Sequence, residues 1–281
     1  MTTVSRKLFE LCLWGIRKGA QGLGRKGNLI IAELAEKLAP TIDVPLETGM
    51  LKMYCPGRLP VWRAESFLSK EPETIEWVDS FEGNSVFWDI GANVGVFSLY
   101  SALRHQVKVL AFEPAAANYY VLNSNIRLNQ LDNKISAFCL AFNKNTCLDS
   151  LFLSSVEFGS ALHTFSKSND LNEKPTVPKQ KQGMIGFSID DFIERFNPFF
   201  PNYIKIDVDG IEGEIVDGAL ATLADDRMKS ILIELDTKNS IESDRIIQVI
   251  EQAGLTLERR QHAPQFDQGE YSSIYNHIFR R

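Results

Sequence analysis

Beyond Ser85 the chain alternates short apolar runs with stretches of helical periodicity, a pattern that restricts it to a mainly parallel sheet covered by helices on both faces. The candidate strands are 86–90, 107–112, 135–142, 203–208 and 231–235. The candidate helices between them are 96–103, 115–128, 211–223 and 241–252, the last two with apolar residues at i, i+3, i+4. After Gly254, residues 255–257 and 275–279 read as two closing strands, which completes a seven-stranded, Rossmann-like α/β sheet. An insertion of about 146–202 interrupts the alternation. Within it the polar, Pro- and Lys-containing stretch Ser166 to Gln182 reads as a mobile loop or lid, the kind of segment that carries substrate selectivity. Residues 1–84 read as a mostly helical N-terminal extension broken at Pro40, Pro45, Pro56-Gly57 and Pro60, with residues 85–281 as the main domain. Pro72 opens the last helix of that extension, in which Ile75, Val78 and Phe81 recur at helical spacing.

A net charge of −6 excludes a protein that coats nucleic acid, because such proteins displace counterions with clustered positive charge. Cys12, Cys55, Cys139 and Cys147 contain no CxxC pair, so neither a zinc site nor a disulfide framework is expected and a reducing cytoplasm is the simplest compartment. The apolar stretch Leu8 to Ile16 follows Arg6-Lys7 but is interrupted by Glu10, lacks a small-residue cleavage site and is too short to cross a bilayer. It reads as a docking helix, packed on the protein or on a second copy in a homo-oligomer. A peripheral contact with a membrane surface is the alternative, suggested by Arg17, Lys18, Arg25 and Lys26.

The chemistry is concentrated where the first strand turns into a helix, at Asp89-Ile90-Gly91-Ala92-Asn93-Val94-Gly95. Small residues there let a ligand approach the backbone. A second acid, Glu113, ends the next strand, where a carboxylate accepts hydrogen bonds from both hydroxyls of a ribose. A dinucleotide fingerprint needs G-x-G-x-x-G, but Asn93 and Val96 occupy the second and third glycine positions, which weighs against a nicotinamide-dependent oxidoreductase. S-adenosylmethionine (SAM) has no phosphate and carries a sulfonium and an ammonium, so an acidic strand end without a phosphate nest suits it. The fold expected is therefore the class I methyltransferase form of the Rossmann-like architecture.

Three ordered blocks resemble the FkbM family of SAM-dependent methyltransferases: Phe87 to Gly95, Ala111-Phe112-Glu113-Pro114, and Ile204-Lys205-Ile206-Asp207-Val208-Asp209-Gly210-Ile211-Glu212. The upstream Lys70-Glu71-Pro72-Glu73-Thr74 is similar to a segment ahead of the domain in bacterial relatives, and adds Glu73 and Thr74 to the cofactor-binding set. The resemblance implies O-methylation of a hydroxyl on a sugar, glycolipid, polysaccharide or natural product. It places Asp89, Gly91, Asn93 and Gly95 at the methionine end of SAM and Glu113 at the ribose. In the family the third block more often reads Asp-x-Glu-Gly-x-Glu, so Asp209 shortens one carboxylate.

Strand periodicity puts Lys205, Asp207 and Asp209 on one face near the carboxyl edge of the sheet, where α/β proteins bind ligands. Asp207 is the candidate base or metal ligand, with Lys205 and Asp209 beside it; a Lys205–Asp207 pair that only braces the sheet is the bland reading. Glu234 and Asp236 end the fifth strand, so a divalent-metal site with Asp207 is conceivable, as are solvated carboxylates. His105, His163, His262 and His277 show no ligand spacing, although His163 and His262 lie in segments able to reach an acceptor. A non-catalytic SAM-binding or scaffolding partner in a glycan-assembly complex is the alternative to an enzyme.

Overall fold

The computed structural model describes residues 3–47, 49–166, 177–269 and 271–281, which form two compact units, Met1–Pro40 and Thr41–Arg281. In the first unit α1 (Thr3–Gly22) and α2 (Arg25–Lys37) pack as a hairpin about the turn at Leu23-Gly24. Gly24 supplies the left-handed φ of 52° for the reversal. Gly27 lies so close to α1 that a Cβ there would be 1.8 Å from the Ala20 carbonyl oxygen, which makes the contact a backbone-to-backbone one.

The second unit starts with an antiparallel hairpin, β1 (Thr41–Leu46) and β2 (Gly49–Tyr54), in a stretch where the prolines suggested helical pieces. Pro45 is tolerated because neither strand of a two-stranded sheet has a second neighbour that would need its N–H. Val44, Leu51 and Met53 are buried while Asp43 and Lys52 are exposed, the alternation of a half-covered strand. Helices α3 (Arg58–Lys70) and α4 (Pro72–Asp79) follow, the latter with Pro72 in its first turn, where a missing N–H costs nothing.

The main sheet begins with β3 (Val86–Ile90), α5 (Val96–Arg104), β4 (Lys108–Phe112), α6 (Ala116–Leu128) and β5 (Ile135–Phe138). The run expected as one strand over 135–142 divides. After Phe138 the chain leaves the sheet, and β6 (Ala141–Phe142) joins β7 (Cys147–Leu153), β8 (Thr164–Phe165) and β9 (Gln180–Phe187) in a second, four-stranded sheet of order β6-β9-β7-β8. Of the expected lid, residues 167–176 lie outside the described residues, and its end belongs to β9. Helix α7 (Ile189–Phe196) is capped by the Ser188 hydroxyl, which accepts from the Asp191 N–H at 3.1 Å.

The chain re-enters the main sheet with β10 (Tyr203–Ile206), followed by α8 (Glu212–Asp217), α9 (Leu220–Ala224), β11 (Ser230–Asp236), α10 (Ser240–Gln252), β12 (Thr256–Gln261) and β13 (Ile274–Arg280). The single helix expected over 211–223 breaks at Gly218. That residue lies against the Asn143 carbonyl, which a Cβ would approach to 2.4 Å. The strand order is β12-β13-β11-β10-β3-β4-β5, with β13 antiparallel to both neighbours and the remaining pairs parallel. This is the Rossmann-like, seven-stranded sheet expected from the sequence.

Alternation along the strands feeds two cores. Trp88, Ile90, Leu110, Phe112, Ile204, Ile206, Ile231 and Ile233 face one side, with Ile215, Val216, Ile246 and Ile250 of α8 and α10. Phe87, Val109, Ala111, Tyr203 and Leu232 face the other, with Trp77, Val78, Leu99 and Leu122 from α4, α5 and α6. The polar residues of the site share this second face at the carboxyl edge of the sheet, while Ile90, Phe112 and Ile215 of the first core also line its cavity.

Candidate active site

Register alone sets the polar row. Leu232, Lys205, Asp89 and Ala111 are neighbours across β11, β10, β3 and β4. Two residues further along each strand on the same face come Glu234, Asp207, Gly91 and Glu113, and Asn276 of β13 stands opposite Glu234. Five strands thus deliver Asn276, Glu234, Asp207, Gly91 and Glu113 to the carboxyl edge. All five line one cavity of about 470 Å³, together with Glu73, Asn93, Lys205 and Asp209.

Gly91 has φ 86°, and a Cβ on it would lie 1.9 Å from the Asp207 carbonyl oxygen. No other residue lets the loops after β3 and β10 come this close. Asn93, also left-handed at φ 51°, turns its N–H onto Glu113 Oε2 at 2.8 Å. Glu113 Oε1 accepts from the Ala115 N–H at 2.9 Å and from Asn118 Nδ2 at 3.4 Å. These donors fix the carboxylate with 4 % of its surface exposed, and burial pushes it up to about 7 despite them.

Lys205 is 1 % exposed, with its ammonium on Asp207 Oδ2 and 4.8 Å above the Phe97 ring. Burial works against the ammonium, but Asp207, Glu71 and Asp89 outweigh it and hold it firmly protonated. For Asp207, burial is overcome by Lys205, Lys70 and Arg63, which hold it below the usual carboxylate range. For Asp209, burial and the Asp207 charge outweigh its backbone donors and Arg63 and push it up to about 6; its Oδ2 accepts from the His163 N–H at 3.1 Å. Burial, Asp207 and Glu71 raise Glu234 well above the ordinary range.

Not every expected residue reaches the cavity wall. Asp89 lies beneath it, where Oδ2 accepts from the Ser98 hydroxyl at 2.5 Å. Gly95 is the left-handed cap of α5, and its missing side chain makes room for Leu122, whose Cδ1 would be 2.4 Å from a Cβ. Thr74 is buried and donates to Glu71 Oε2 at 3.2 Å, whereas its neighbour Glu73 lines the cavity. Asp207, Glu234 and Asp236 do not assemble as metal ligands. Among the described residues no group of three or more His, Cys, Asp or Glu is arranged to hold an ion. Lys205 occupies Asp207, and Asp236 stands outside the wall with Oδ1 accepting from the Lys238 N–H at 3.0 Å.

The sequence reading missed the groups that fold the insertion over the cavity. Arg63 Nε donates to the Gly159 carbonyl at 2.8 Å, and the Gly159 N–H donates to Asn118 Oδ1 at 2.7 Å. Asn118 Nδ2 and Asn93 Nδ2 both donate to the Ser160 carbonyl, at 3.0 and 2.9 Å. The signal for Asn118 was an amide on the apolar face of α6, three residues before Val121. His163 and His262 both line the cavity. Burial and Arg63 bring the His163 imidazole down to about 4, so it is neutral.

The lining fits SAM. Six carboxyl groups (Glu71, Glu73, Glu113, Asp207, Asp209, Glu234) face three cations (Arg63, Lys70, Lys205), an excess that suits a sulfonium and an ammonium. Three buried acceptors on lining residues, Glu73 Oε2, Asn93 Oδ1 and Asn276 Oδ1, have no partner among the described residues and can receive ligand N–H or O–H groups. Fold and site together define a SAM-dependent methyltransferase of the Rossmann-like class.

The methyltransferase FkbM domain matches residues 89–257. The chain belongs to this family. Methyltransferase 1 of Beauveria bassiana is 24% identical over 200 residues, covering 66% of this chain and 79% of the relative. Methyltransferase sdnD of Sordaria araneosa is 26% identical over 198 residues, 62% of this chain and 74% of the relative. Among solved structures, precorrin-6y C5,15-methyltransferase from Geobacter metallireducens aligns with a TM-score of 0.42 at 13% identity, over 75% of this chain and 86% of that one. TrmK of M. capricolum, in complex with S-adenosylhomocysteine, aligns with a TM-score of 0.40 at 10% identity, over 74% of this chain and 67% of that one.

Proposed function

We propose that the enzyme transfers the SAM methyl group to a hydroxyl of a sugar, glycolipid, polysaccharide or natural-product acceptor. The observation that carries this reading is the carboxylate Asp209, which lines the cavity and has a basicity close to neutrality. Bound SAM supplies an activated methyl group on sulfur, so what the chain must add is alignment of the acceptor oxygen and removal of its proton. Glu113 holds the ribose hydroxyls, and Asn93 Oδ1 takes a donor from the ligand. Gly91 lets the ligand pass close to the backbone.

Asp209 acts as the general base in place of Asp207. A carboxylate held down by Lys205 is a weak proton acceptor, whereas one at about 6 is ionised at neutral pH and still basic. Asp207 keeps a fixed negative charge beside the cationic donor. Lys205 holds Asp207 in place from beneath. The segment Gly159 to His163, pinned by Arg63, Asn93, Asn118 and Asp209, closes the cavity against water.

The test couples calorimetry to product detection. The enzyme should bind SAM and S-adenosylhomocysteine, and a gene-deletion strain should lack one methylene mass on a surface glycan, lipid or secreted metabolite. Asp209→Asn should keep cofactor binding, lose most of kcat and lose the acidic limb near pH 6. Retention of that limb would assign the base elsewhere, and a product methylated on nitrogen or carbon would overturn the hydroxyl assignment.

A further inference from the structure

The helical hairpin of α1 and α2 is built in a way that leaves its large apolar side chains unused. The contact between the helices is made by Ala20 and Gly27, the two buried residues of the pair among those described. Leu8 (61 % exposed), Phe9, Leu11 (62 %), Trp14 (60 %), Ile16, Leu29 and Ile30 all stand in solvent. Isolated exposed apolar residues are ordinary, but these are concentrated in one small unit and ordered along α1.

At the 3.6-residue period, Lys7, Leu11, Trp14 and Lys18 form one row, so the indole stands between two ammonium groups. Leu8, Cys12, Gly15 and Gly19 form the row beside it, and Arg6, Glu10 and Arg17 fall on the far side. Residues 1–40 carry seven basic and three acidic side chains, a net +4 in a chain whose total is −6. No described helix is long and apolar enough to cross a membrane. An amphipathic helix with leucines on one flank, a tryptophan between lysines and a positive excess matches the chemistry of an anionic lipid surface: acyl chains take the apolar row, the indole sits at headgroup depth, and the cations meet phosphate.

We infer that this hairpin is an anchoring surface for anionic membranes, with α1 lying in the plane of the interface. It is the surface-bound alternative of the sequence reading, supported by the exposed apolar side chains together with the local positive charge.

The test uses the full chain and flotation or sedimentation with two vesicle types, phosphatidylcholine alone and an equimolar mixture of phosphatidylcholine and phosphatidylglycerol. Binding is expected on the mixed vesicles, weakened by salt and much weaker on phosphatidylcholine. Leu8→Glu with Leu11→Glu should reduce partitioning at least tenfold. Lys7→Gln with Lys18→Gln should reduce it roughly 25-fold, about fivefold per basic side chain. Calorimetry with S-adenosylhomocysteine should be unchanged in both variants, which separates a failed anchor from a failed enzyme or a misfolded chain. No binding to the mixed vesicles, or variants that bind as well as the parent, would overturn the proposal. So would a dimer seen by light scattering that the leucine substitutions dissolve while the parent ignores vesicles, since a second copy would then cover the row.

Discussion

Glu113 makes cofactor affinity depend on pH in a way that can be worked out beforehand. Its carboxyl is pushed up to about 7, from an ordinary 4.5, mainly by burial. Ribose hydroxyls donate hydrogen bonds, so they favour the ionised form and binding should release a proton. With that midpoint, roughly a tenth of the carboxyl is ionised at pH 6 and roughly nine tenths at pH 8, so affinity for S-adenosylhomocysteine should rise about tenfold across the interval. Glu113→Gln removes the titration. Its amide also presents a donor to either the Asn93 or the Ala115 N–H, and loses a charge-assisted bond to ribose. The cost of about 1.5–3 kcal/mol predicts roughly 10- to 100-fold weaker binding at pH 8 and a smaller deficit at pH 6.

Calorimetry of both proteins at several pH values, with circular dichroism to check folding, gives the difference profile. Asp209 and Glu212, pushed up to about 6 and about 8, titrate nearby but are common to both proteins and cancel. If the variant keeps the tenfold pH dependence, Glu113 is not the group that the ligand reads and the assignment of the ribose site fails.

Three further outcomes are expected. Gly91→Ala should cost at least 1–2 kcal/mol, since φ 86° is left-handed and the new Cβ would meet the Asp207 carbonyl at 1.9 Å; urea unfolding indistinguishable from the parent would refute the close approach. Asp207→Asn should destabilise by about 3 kcal/mol by leaving Lys205 buried without its counter-charge, and adding Lys205→Met should restore thermal stability without restoring methyl transfer; recovery of both would make the pair a mere brace. Between pH 6.5 and 8 the unfolding free energy should fall by about 1–2 kcal/mol. Glu113 and Glu212 hold protons in the folded state that the unfolded chain has already released, and that stabilisation is lost as pH rises through about 7 and about 8. Glu113→Gln with Glu212→Gln should flatten this decline. On the acid side His163 and His277, both lowered to about 4, act oppositely: stability is lost as pH falls below 6.5, because the unfolded imidazoles take up protons first.

The buried strands were legible because each had to be apolar on both faces. Val86–Ile90 was expected and observed with the same bounds, and β10 and β11 differ by two residues or fewer at each end. Polar residues inside such strands stand out for the same reason, which is how Lys205 and Asp207 could be singled out, while Glu113 followed from its place at the end of the strand after Asp89. Burial does not reveal partners, however. Asp89 and Asp207 look alike in the sequence, yet one meets Ser98 and the other lines the cavity, a difference set by which side chains α5 presents. The β1–β2 hairpin was hidden because Pro45 signals a break only if the strand has neighbours on both sides. The division of 135–142 was hidden because an apolar run carries no mark of the sheet it joins. The roof over the cavity depends on Arg63, Asn118 and Ser160, brought together from three separate regions of the chain by tertiary folding alone.

The position of β13 between β11 and β12 has a consequence for assembly. Until residues 274–280 are threaded, β12 has no partner at all and β11 ends the sheet as an open edge. Asn276, across from Glu234, arrives only with that step. A growing chain can therefore pair the five strands from β5 to β11 early, but its ligand chamber stays unwalled on one side until the β12–β13 hairpin slots home. Any ligand that grips Asn276 would act as a clasp on that hairpin, holding it against the open side of β11.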